Sequence, residues 1–241
     1  MTDLDGKIVL VTGASRGIGY QASLEAARRG AHVIAVARTI GGLEDLDDQI
    51  KALGGTATLV PLDLRDGDGI DRLGQSIFER WGRLDGLVGN AGALGVLTPL
   101  AHLDPKDFEQ TFAINVTANY RLIRSFDLPL RQSAAGRAVF LTSGAAHGAR
   151  PYWGLYAATK AALETLVRSY SEEITPTAVK VNVFNPGRLR TAMHAKAFPG
   201  VDPEDFELPA VVAPALIDMV APGYGENGKY FDFASKQTRA I

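Results

Sequence analysis

The stretch KIVLVTGASRGIG, residues 7–19, joins a short apolar run to a loop that contains Gly13, Gly17 and Gly19. The run has the composition of a buried strand, and the amphipathic pattern over residues 18–29 predicts a helix directly after it. Glycine permits the tight turn between the two and lets backbone N–H groups approach a pyrophosphate at the helix N-terminus. The stretch therefore predicts a nucleotide-binding strand, loop and helix. Steric needs at a strand end are the alternative reason for such glycines.

Apolar runs alternate with longer amphipathic segments along the rest of the chain. Runs that are apolar almost throughout are typical of parallel strands covered on both faces, and we predict seven of them, over residues 7–13, 31–38, 57–64, 84–92, 137–144, 179–187 and 229–235. Helical patterns fill the gaps, over residues 18–29, 43–53, 70–81, 105–124, 152–174 and 210–220. This alternation predicts an α/β fold with a doubly wound parallel seven-stranded sheet in one domain, residues 1–241.

Composition narrows the function classes. The chain has 241 residues, a formal net charge of −2 and no cysteine. A nucleic-acid partner would need a clustered basic excess, and disulfides or thiolate chemistry would need cysteine. The first residues are acidic and unlike a signal peptide, and no apolar run approaches the ~20 residues of a membrane span. We expect a cytoplasmic protein with no nucleic-acid partner, no membrane partner and no metal site.

The residues that would meet the adenosine ribose of a dinucleotide favour NADP(H). An acid about 20 residues after the glycine loop commonly grips the ribose hydroxyls in NAD-binding proteins. This chain has Arg38 in that region and Arg16 inside the loop. Two guanidiniums suit a 2′-phosphate through charge-assisted contacts. NAD(H) remains possible, because both arginines could instead be solvated surface residues.

The stretch YAATK, residues 156–160, places a phenol and an amine four residues apart in a predicted helix. At that spacing Tyr156 and Lys160 project from one helical face. An ammonium beside a phenol favours the phenolate and lowers the pKa of the tyrosine from its usual value of ~10. The pair is therefore a candidate proton donor with its activator. The alternative is an ordinary polar pair on a helix surface.

Several motifs in order along the chain resemble the short-chain dehydrogenase/reductase family. They are TGASRGIG at residues 12–19, NAG at 90–92, Asn115, Ser143, YAATK at 156–160 and NPGRLRT at 185–191. The resemblance covers nearly the whole chain. It implies a three-layer Rossmann fold, a nicotinamide cofactor and a small-molecule carbonyl or alcohol substrate.

The resemblance also implies roles for four residues. Tyr156 would be the general acid in reduction and the general base in oxidation. Lys160 would lower the pKa of Tyr156 and bind the nicotinamide ribose. Ser143 would hold the substrate oxygen, and Asn115 would support a water that links Lys160 to solvent. The alternatives are a helix-cap or turn role for Ser143 and a buried, satisfied amide for Asn115.

A cofactor-binding set follows from the same resemblance. Asp63 resembles the acid that contacts the adenine amine, while for Asn90 a purely structural role is the alternative. Arg188 and Arg190 flank the last motif and could bind an acidic substrate or simply be solvated. The full implied set is Gly13, Ser15, Arg16, Gly17, Ile18, Gly19, Arg38, Asp63, Leu64, Asn90, Ala91, Gly92, Tyr156, Lys160, Pro186, Gly187 and Thr191.

Two segments depart from the regular pattern. Residues 190–209 do not fit the alternation of strands and helices, and we expect a substrate lid there because long ordered excursions are often binding loops.

The helices over 105–124 and 152–174 resemble those that form the common family dimer, so we expect a homodimer or homotetramer. The chain end, GENGKYFDFASKQTRAI, departs from the Val-Asp-Gly-Gly strand with which many family members close, and this puts a standard tetramer in doubt.

Two other functions remain open. A dinucleotide-sensing protein of the same fold that has lost turnover would not need Ser143. An S-adenosylmethionine methyltransferase would give the YAATK helix and the NPG turn no role.

Overall fold

The computed structural model describes residues 3–241, and its strands form one eight-stranded sheet. The strands are β1 (Ile8–Thr12), β2 (His32–Ala37), β3 (Thr56–Pro61), β4 (Gly86–Gly89), β5 (Arg137–Leu141), β6 (Lys180–Asn185), β7 (Lys229–Asp232) and β8 (Gln237–Ala240). The spatial order is β3-β2-β1-β4-β5-β6-β7-β8. Strands β1 to β7 are parallel, so the predicted doubly wound parallel sheet is confirmed.

The predicted count of seven strands is wrong by one, because β8 pairs antiparallel with β7 at the sheet edge. All four residues of β8 are exposed. A strand that buries neither face needs no apolar residues, so its sequence, QTRA, carries no strand pattern. The turn before it uses Lys236 in the left-handed region, with φ +57°.

The helices cover both faces of the sheet. They are α1 (Gly17–Arg28), α2 (Ile40–Ala52), α3 (Gly67–Trp81), α4 (Pro105–Phe112), α5 (Ala118–Arg131), α6 (Gly154–Glu173), α7 (Ala192–Ala197) and α8 (Ala213–Asp218). One buried cluster joins the sheet to α1, α2 and α8, and the other joins it to α3, α5 and α6. Successive side chains of a strand point to opposite faces of the sheet. In β1, Val9 and Val11 belong to the first cluster and Leu10 to the second, and all three are fully buried.

Two helical predictions were incomplete. The helix expected over residues 105–124 continues to Arg131, through a π-helical turn at Ala113–Thr117 and past Pro129. The stretch 190–209 contains α7 and a short 3-10 turn, Pro203–Asp205. Helix α7 has only six residues, too few for a helical period to stand out in the sequence.

Candidate active site

A large cleft lies at the carboxyl ends of the parallel strands. Its volume is about 1450 Å³, above the 300–1,000 Å³ typical of a site for one small molecule. Strand β1 lies between β2 and β4, and the chain reverses its direction of progress across the sheet at that point. Open α/β sheets bind ligands at such a switch point. The cleft has room for a dinucleotide and a substrate together.

The glycine loop is fixed to the end of β4 by Asn90. The Asn90 amide nitrogen donates to the carbonyl oxygens of Thr12 at 2.7 Å and Gly13 at 3.3 Å. The Thr12 hydroxyl accepts from the backbone N–H groups of Asn90 and Ala91 at 3.0 and 3.1 Å. Gly13 has φ +68°, and a Cβ there would lie 2.8 Å from the Asn90 amide nitrogen. Asn90 therefore braces the loop, and this contact supports its structural alternative.

The loop presents the N-terminus of α1 to the cleft. The helix begins at Gly17, which has φ +59°, and Arg16 at the N-cap makes no side-chain hydrogen bond to the first turn. Gly19 is buried against the loop, where a Cβ would overlap the Gly13 carbonyl oxygen and the Asn90 amide. An uncapped helix N-terminus offers N–H donors and a favourable dipole to a pyrophosphate.

The end of β2 carries positive charge. Arg38 follows β2 with 61% of its side chain exposed, and its guanidinium lies 3.9 Å from the Asp63 carboxylate. Arg65 donates to Asp63 through Nε at 3.0 Å. The guanidiniums of Arg65 and, more weakly, Arg38 hold the pKa of Asp63 below its usual range. Arg65 had no sequence signal as a site residue, because an arginine two positions after an acid is common in any loop.

These residues fit an NADP-type dinucleotide. The uncapped N-terminus of α1 suits the pyrophosphate, and the exposed Arg16 and Arg38 suit a 2′-phosphate. No acid follows β2 directly, where Arg38 and Thr39 stand. Ser15, Ile18, Leu64, Ala91, Pro186 and Thr191 also line the cleft, as do the other predicted cofactor residues except Gly19, which lies behind its wall.

Tyr156 stands on α6 at the other half of the cleft and is 8% exposed. Burial raises the pKa of its phenol, and the neighbouring Ser143 side chain opposes that rise. Ser143 follows β5 and its Oγ accepts from the N–H of Ala145 at 3.2 Å. Ser143 therefore caps a 3-10 turn and faces the phenol as well, so the cap and site interpretations are compatible.

Lys160 is buried one turn after Tyr156. Its Nζ donates to the Leu141 carbonyl oxygen at 2.8 Å and lies 5.8 Å from the centre of the Tyr156 ring. Burial lowers the pKa of the amine to about 8, against the opposing charge of Glu164. A lowered pKa of Tyr156 would require the ammonium to outweigh the burial of the phenol. That predicted effect of Lys160 therefore stays a prediction.

Asn115 lies behind the wall of the cleft, in the π-helical turn between α4 and α5, and is fully buried. Its side chain accepts from the Ala93 N–H at 2.7 Å and donates to the Ala93 carbonyl and the Thr159 hydroxyl. The backbone carbonyl oxygen of Asn115 accepts a hydrogen bond from the Asn119 side-chain amide at 2.8 Å. The side-chain amide thus has all its hydrogen-bond partners within the protein. If Asn115 holds a water, the backbone carbonyl oxygen is the group that would bind it.

Sequence reasoning missed an acid behind Lys160. Glu164 lies one helical turn further along α6 and is 6% exposed. It accepts a short hydrogen bond from the Thr142 hydroxyl and lies 3.0 Å from the His147 ring. An acid four residues after a lysine is common on helices, so the spacing alone did not single it out.

The NPGRLRT motif, residues 185–191, forms another part of the cleft wall. Gly187 has φ +73°, which favours glycine at this turn, and Thr191 caps α7 by accepting from the His194 N–H at 3.1 Å. Arg190 forms a bidentate pair with Glu204 at 2.7 and 2.8 Å. Of the two arginines singled out in this motif, Arg190 is thus committed to a partner within the loop.

Two kinds of feature are absent from residues 3–241. None of the helices there combines the length and apolar character that a membrane crossing requires. The same residues hold no cluster of three or more acidic or histidine side chains arranged to bind a metal ion.

Comparison with known proteins places the chain. A family model described as short chain dehydrogenase matches residues 7–202. The uncharacterized oxidoreductase YciK of Escherichia coli (strain K12) is 36% identical over 217 residues, which are 89% of this chain and 86% of that protein.

Solved structures agree with that match. A short chain dehydrogenase from Pseudomonas syringae has a TM-score of 0.92 and 34% identity, covering 96% of each chain. A short chain dehydrogenase from Escherichia coli solved in complex with NADPH has a TM-score of 0.89 and 35% identity, covering 96% of this chain and 98% of that one. The family model matches most of the chain, and both the relative and the solved structures are more than 30% identical to it. This chain therefore belongs to the short-chain dehydrogenase family of oxidoreductases.

Proposed function

We propose that the protein is an NADP(H)-dependent oxidoreductase acting on a carbonyl compound or the corresponding alcohol, in one domain. The observation that carries the proposal is the convergence of Ser143, Tyr156 and Lys160 on the cleft that the glycine loop opens. The NADPH complex of the Escherichia coli relative supports the choice of cofactor.

The chain's own residues would hold the cofactor along the cleft. The first turn of α1 would bind the pyrophosphate, and Arg16 with Arg38 would bind the 2′-phosphate. Lys160, Pro186, Gly187 and Thr191 also line the cleft and would hold the nicotinamide end. When bound, the reduced nicotinamide supplies the hydride, with its two electrons, that a carbonyl carbon accepts.

Tyr156 would manage the proton. In reduction its Oη would donate a proton to the carbonyl oxygen, while the Ser143 hydroxyl donates a hydrogen bond to the same oxygen. In oxidation the phenolate would take the alcohol proton back. The Lys160 ammonium, buried beside the ring, would stabilise the phenolate. Its pKa of about 8 means that this charge is present at neutral pH and is lost as the pH rises above about 8.

The rival function is a dinucleotide sensor without turnover. Such a protein would need the glycine loop and the arginines, but not a serine hydroxyl beside a buried phenol. The contact between Ser143 and Tyr156 therefore favours the enzyme.

Replacing Arg38 with Asp tests the choice of cofactor. The change removes a charge-assisted contact and repels a 2′-phosphate, so we expect the dissociation constant for NADPH to rise about tenfold or more, with NADH binding unchanged or tighter. Fluorescence titration with each cofactor measures both values. Arg72→Asp on α3, outside the cleft, is the matched control. Wild type that binds NADH as tightly as NADPH would contradict the proposal.

Replacing Tyr156 with Phe keeps the ring and removes the proton donor. We expect NADPH to bind normally and turnover to fall by about 10²–10⁴, as is typical for the loss of a general acid.

Lys160→Ala should weaken cofactor binding and move the basic pKa of the oxidation pH profile upward, because the ammonium no longer favours the phenolate. Turnover of Tyr156→Phe near the wild-type rate would refute the mechanism.

Residues 190–209 are proposed to be a lid. Phe198 from this segment packs on Trp153 at 5.4 Å between ring centres, and His194 packs on Phe206 at 4.2 Å. The first contact ties the segment to the residue before α6 and the second lies within the segment, so we expect the segment to open locally and close over a bound ligand. Hydrogen exchange in 190–209 should slow when NADPH binds, while exchange in α3, which does not line the cleft, stays unchanged. Equal, strong protection with and without NADPH would rule out a lid.

The exposed side of α4 and α5 is the proposed dimer surface. Phe108, Tyr120 and Leu128 are exposed there, at 43%, 48% and 53%, an apolar surface that a second copy would cover. Tyr120→Asp should lower the mass measured by sedimentation velocity, because it places a charge in that interface. Glu109→Asp on the same helix pair preserves the charge and serves as control. A monomeric wild type would defeat this part of the proposal.

A further inference from the structure

A row of aromatic rings leads from Tyr156 along the wall of the cleft. The ring centres of Tyr156 and Trp153 are 6.0 Å apart, and those of Trp153 and Phe198 are 5.4 Å apart. Both Trp153 and Phe198 line the cleft and are half-buried. A substrate whose carbonyl reaches Tyr156 would have its remaining part beside these two rings.

Two arginines from separate segments stand over the outer ring of this row. The guanidinium carbon of Arg150 lies 5.8 Å from the centre of Phe198 and 5.1 Å from that of Trp153. The guanidinium carbon of Arg188 lies 5.5 Å from the centre of Phe198. Contact with an aromatic face holds a guanidinium in place and leaves its N–H groups free to donate.

Neither guanidinium is neutralised by the protein. Among residues 3–241, Arg150 and Arg188 form no ion pair with a carboxylate, whereas the neighbouring Arg190 is held by Glu204. The acids that line the cleft are Asp63 and Asp107. Asp63 is paired with Arg65, and Asp107 forms no ion pair with Arg150 or Arg188. Burial and, in second place, the charge of Arg188 lower the pKa of His194, so protonation of this histidine beside the arginines is disfavoured.

The cofactor does not account for these charges. Arg16, Arg38 and the N-terminus of α1 lie at the loop end and would meet its phosphates. Arg150 and Arg188 are assembled instead on Phe198, which belongs to the segment 190–209. Planar guanidiniums with free donors are suited to carboxylate and phosphate groups.

We propose that the substrate of this oxidoreductase is a carbonyl compound or alcohol that carries an anionic group, carboxylate or phosphate, bound by Arg150 and Arg188 beyond Phe198. An apolar or aromatic part would span the distance along Trp153. The inference rests on the proposed function for the identity of the reacting group. The recognition of the anion rests on the two arginines alone.

The test uses three alcohols that differ in one substituent, namely 4-(hydroxymethyl)benzoate, 4-(hydroxymethyl)phenyl phosphate and the neutral 4-(hydroxymethyl)benzamide. Isothermal titration measures their binding to the complex of the protein with NADP⁺. We expect at least one anion to bind roughly ten- to a hundredfold more tightly than the amide, as two charge-assisted contacts imply. Which anion binds more tightly distinguishes a carboxylate site from a phosphate site.

Variants assign the preference to the two arginines. Arg150→Gln and Arg188→Gln should each weaken binding of the preferred anion about tenfold and leave the amide unchanged. Arg72→Gln on α3 is the matched control and should change neither. Measuring NADP⁺ affinity in each variant checks that the cofactor site is intact.

Several outcomes would overturn the inference. Equal binding of the anions and the amide would do so, as would no detectable binding of either anion. A loss of NADP⁺ affinity in Arg188→Gln, with the preference for the anion unchanged, would assign Arg188 to the cofactor instead. Reduction of neutral 4-formylbenzamide with NADPH separates the two proposals. Turnover without a preference for anions rejects only the inference, and selective anion binding without turnover of any aldehyde rejects only the proposed function.

Discussion

The bond between the Asn90 side chain and the backbone of the glycine loop is the constraint on which the cleft depends. It joins the ends of β1 and β4 at the point where the sheet changes direction, through the carbonyls of Thr12 and Gly13. Gly13 and Gly19 are required there because a Cβ on either would collide with the Asn90 amide. The brace fixes the N-terminus of α1 toward the cleft. Phosphate binding therefore follows from a contact that need not touch the cofactor.

The second constraint is the burial of a lysine beside a tyrosine. Lowering the pKa of Lys160 from 10.5 to about 8 corresponds to a penalty on the charged amine of about 3 kcal/mol, as an order of magnitude. Because the pKa in the folded state is depressed, this penalty acts in full below pH 8 and disappears above 10.5. This net penalty already includes the opposing attraction of Glu164, and the ammonium donates a hydrogen bond to the Leu141 carbonyl. Perturbed groups of this kind concentrate at functional sites, where the fold tolerates a cost in stability.

The sequence predicted the features that repeat or that need particular residues. Strands β1 to β7 are nearly continuous apolar runs because both faces of the sheet are covered, and the glycines mark the loop because no other residue fits. The missing features had no such signal. Strand β8 buries neither face, α7 is only six residues long, and the stacking of Arg150 on Phe198 joins residues far apart in the chain. Glu164 faces Lys160 at a spacing that is common on any helix.

Transfer of deuterium from NADPH labelled on the reactive carbon C4 tests the central claim most directly, with 4-formylbenzoate as acceptor and mass spectrometry of the product. Both C4 positions should be labelled in separate experiments, because only one of the two hydrogens is transferred. The account predicts that one of the two labelled cofactors gives 4-(hydroxymethyl)benzoate with a single deuterium on the carbinol carbon. Product without deuterium from both labelled cofactors would contradict hydride transfer by this protein.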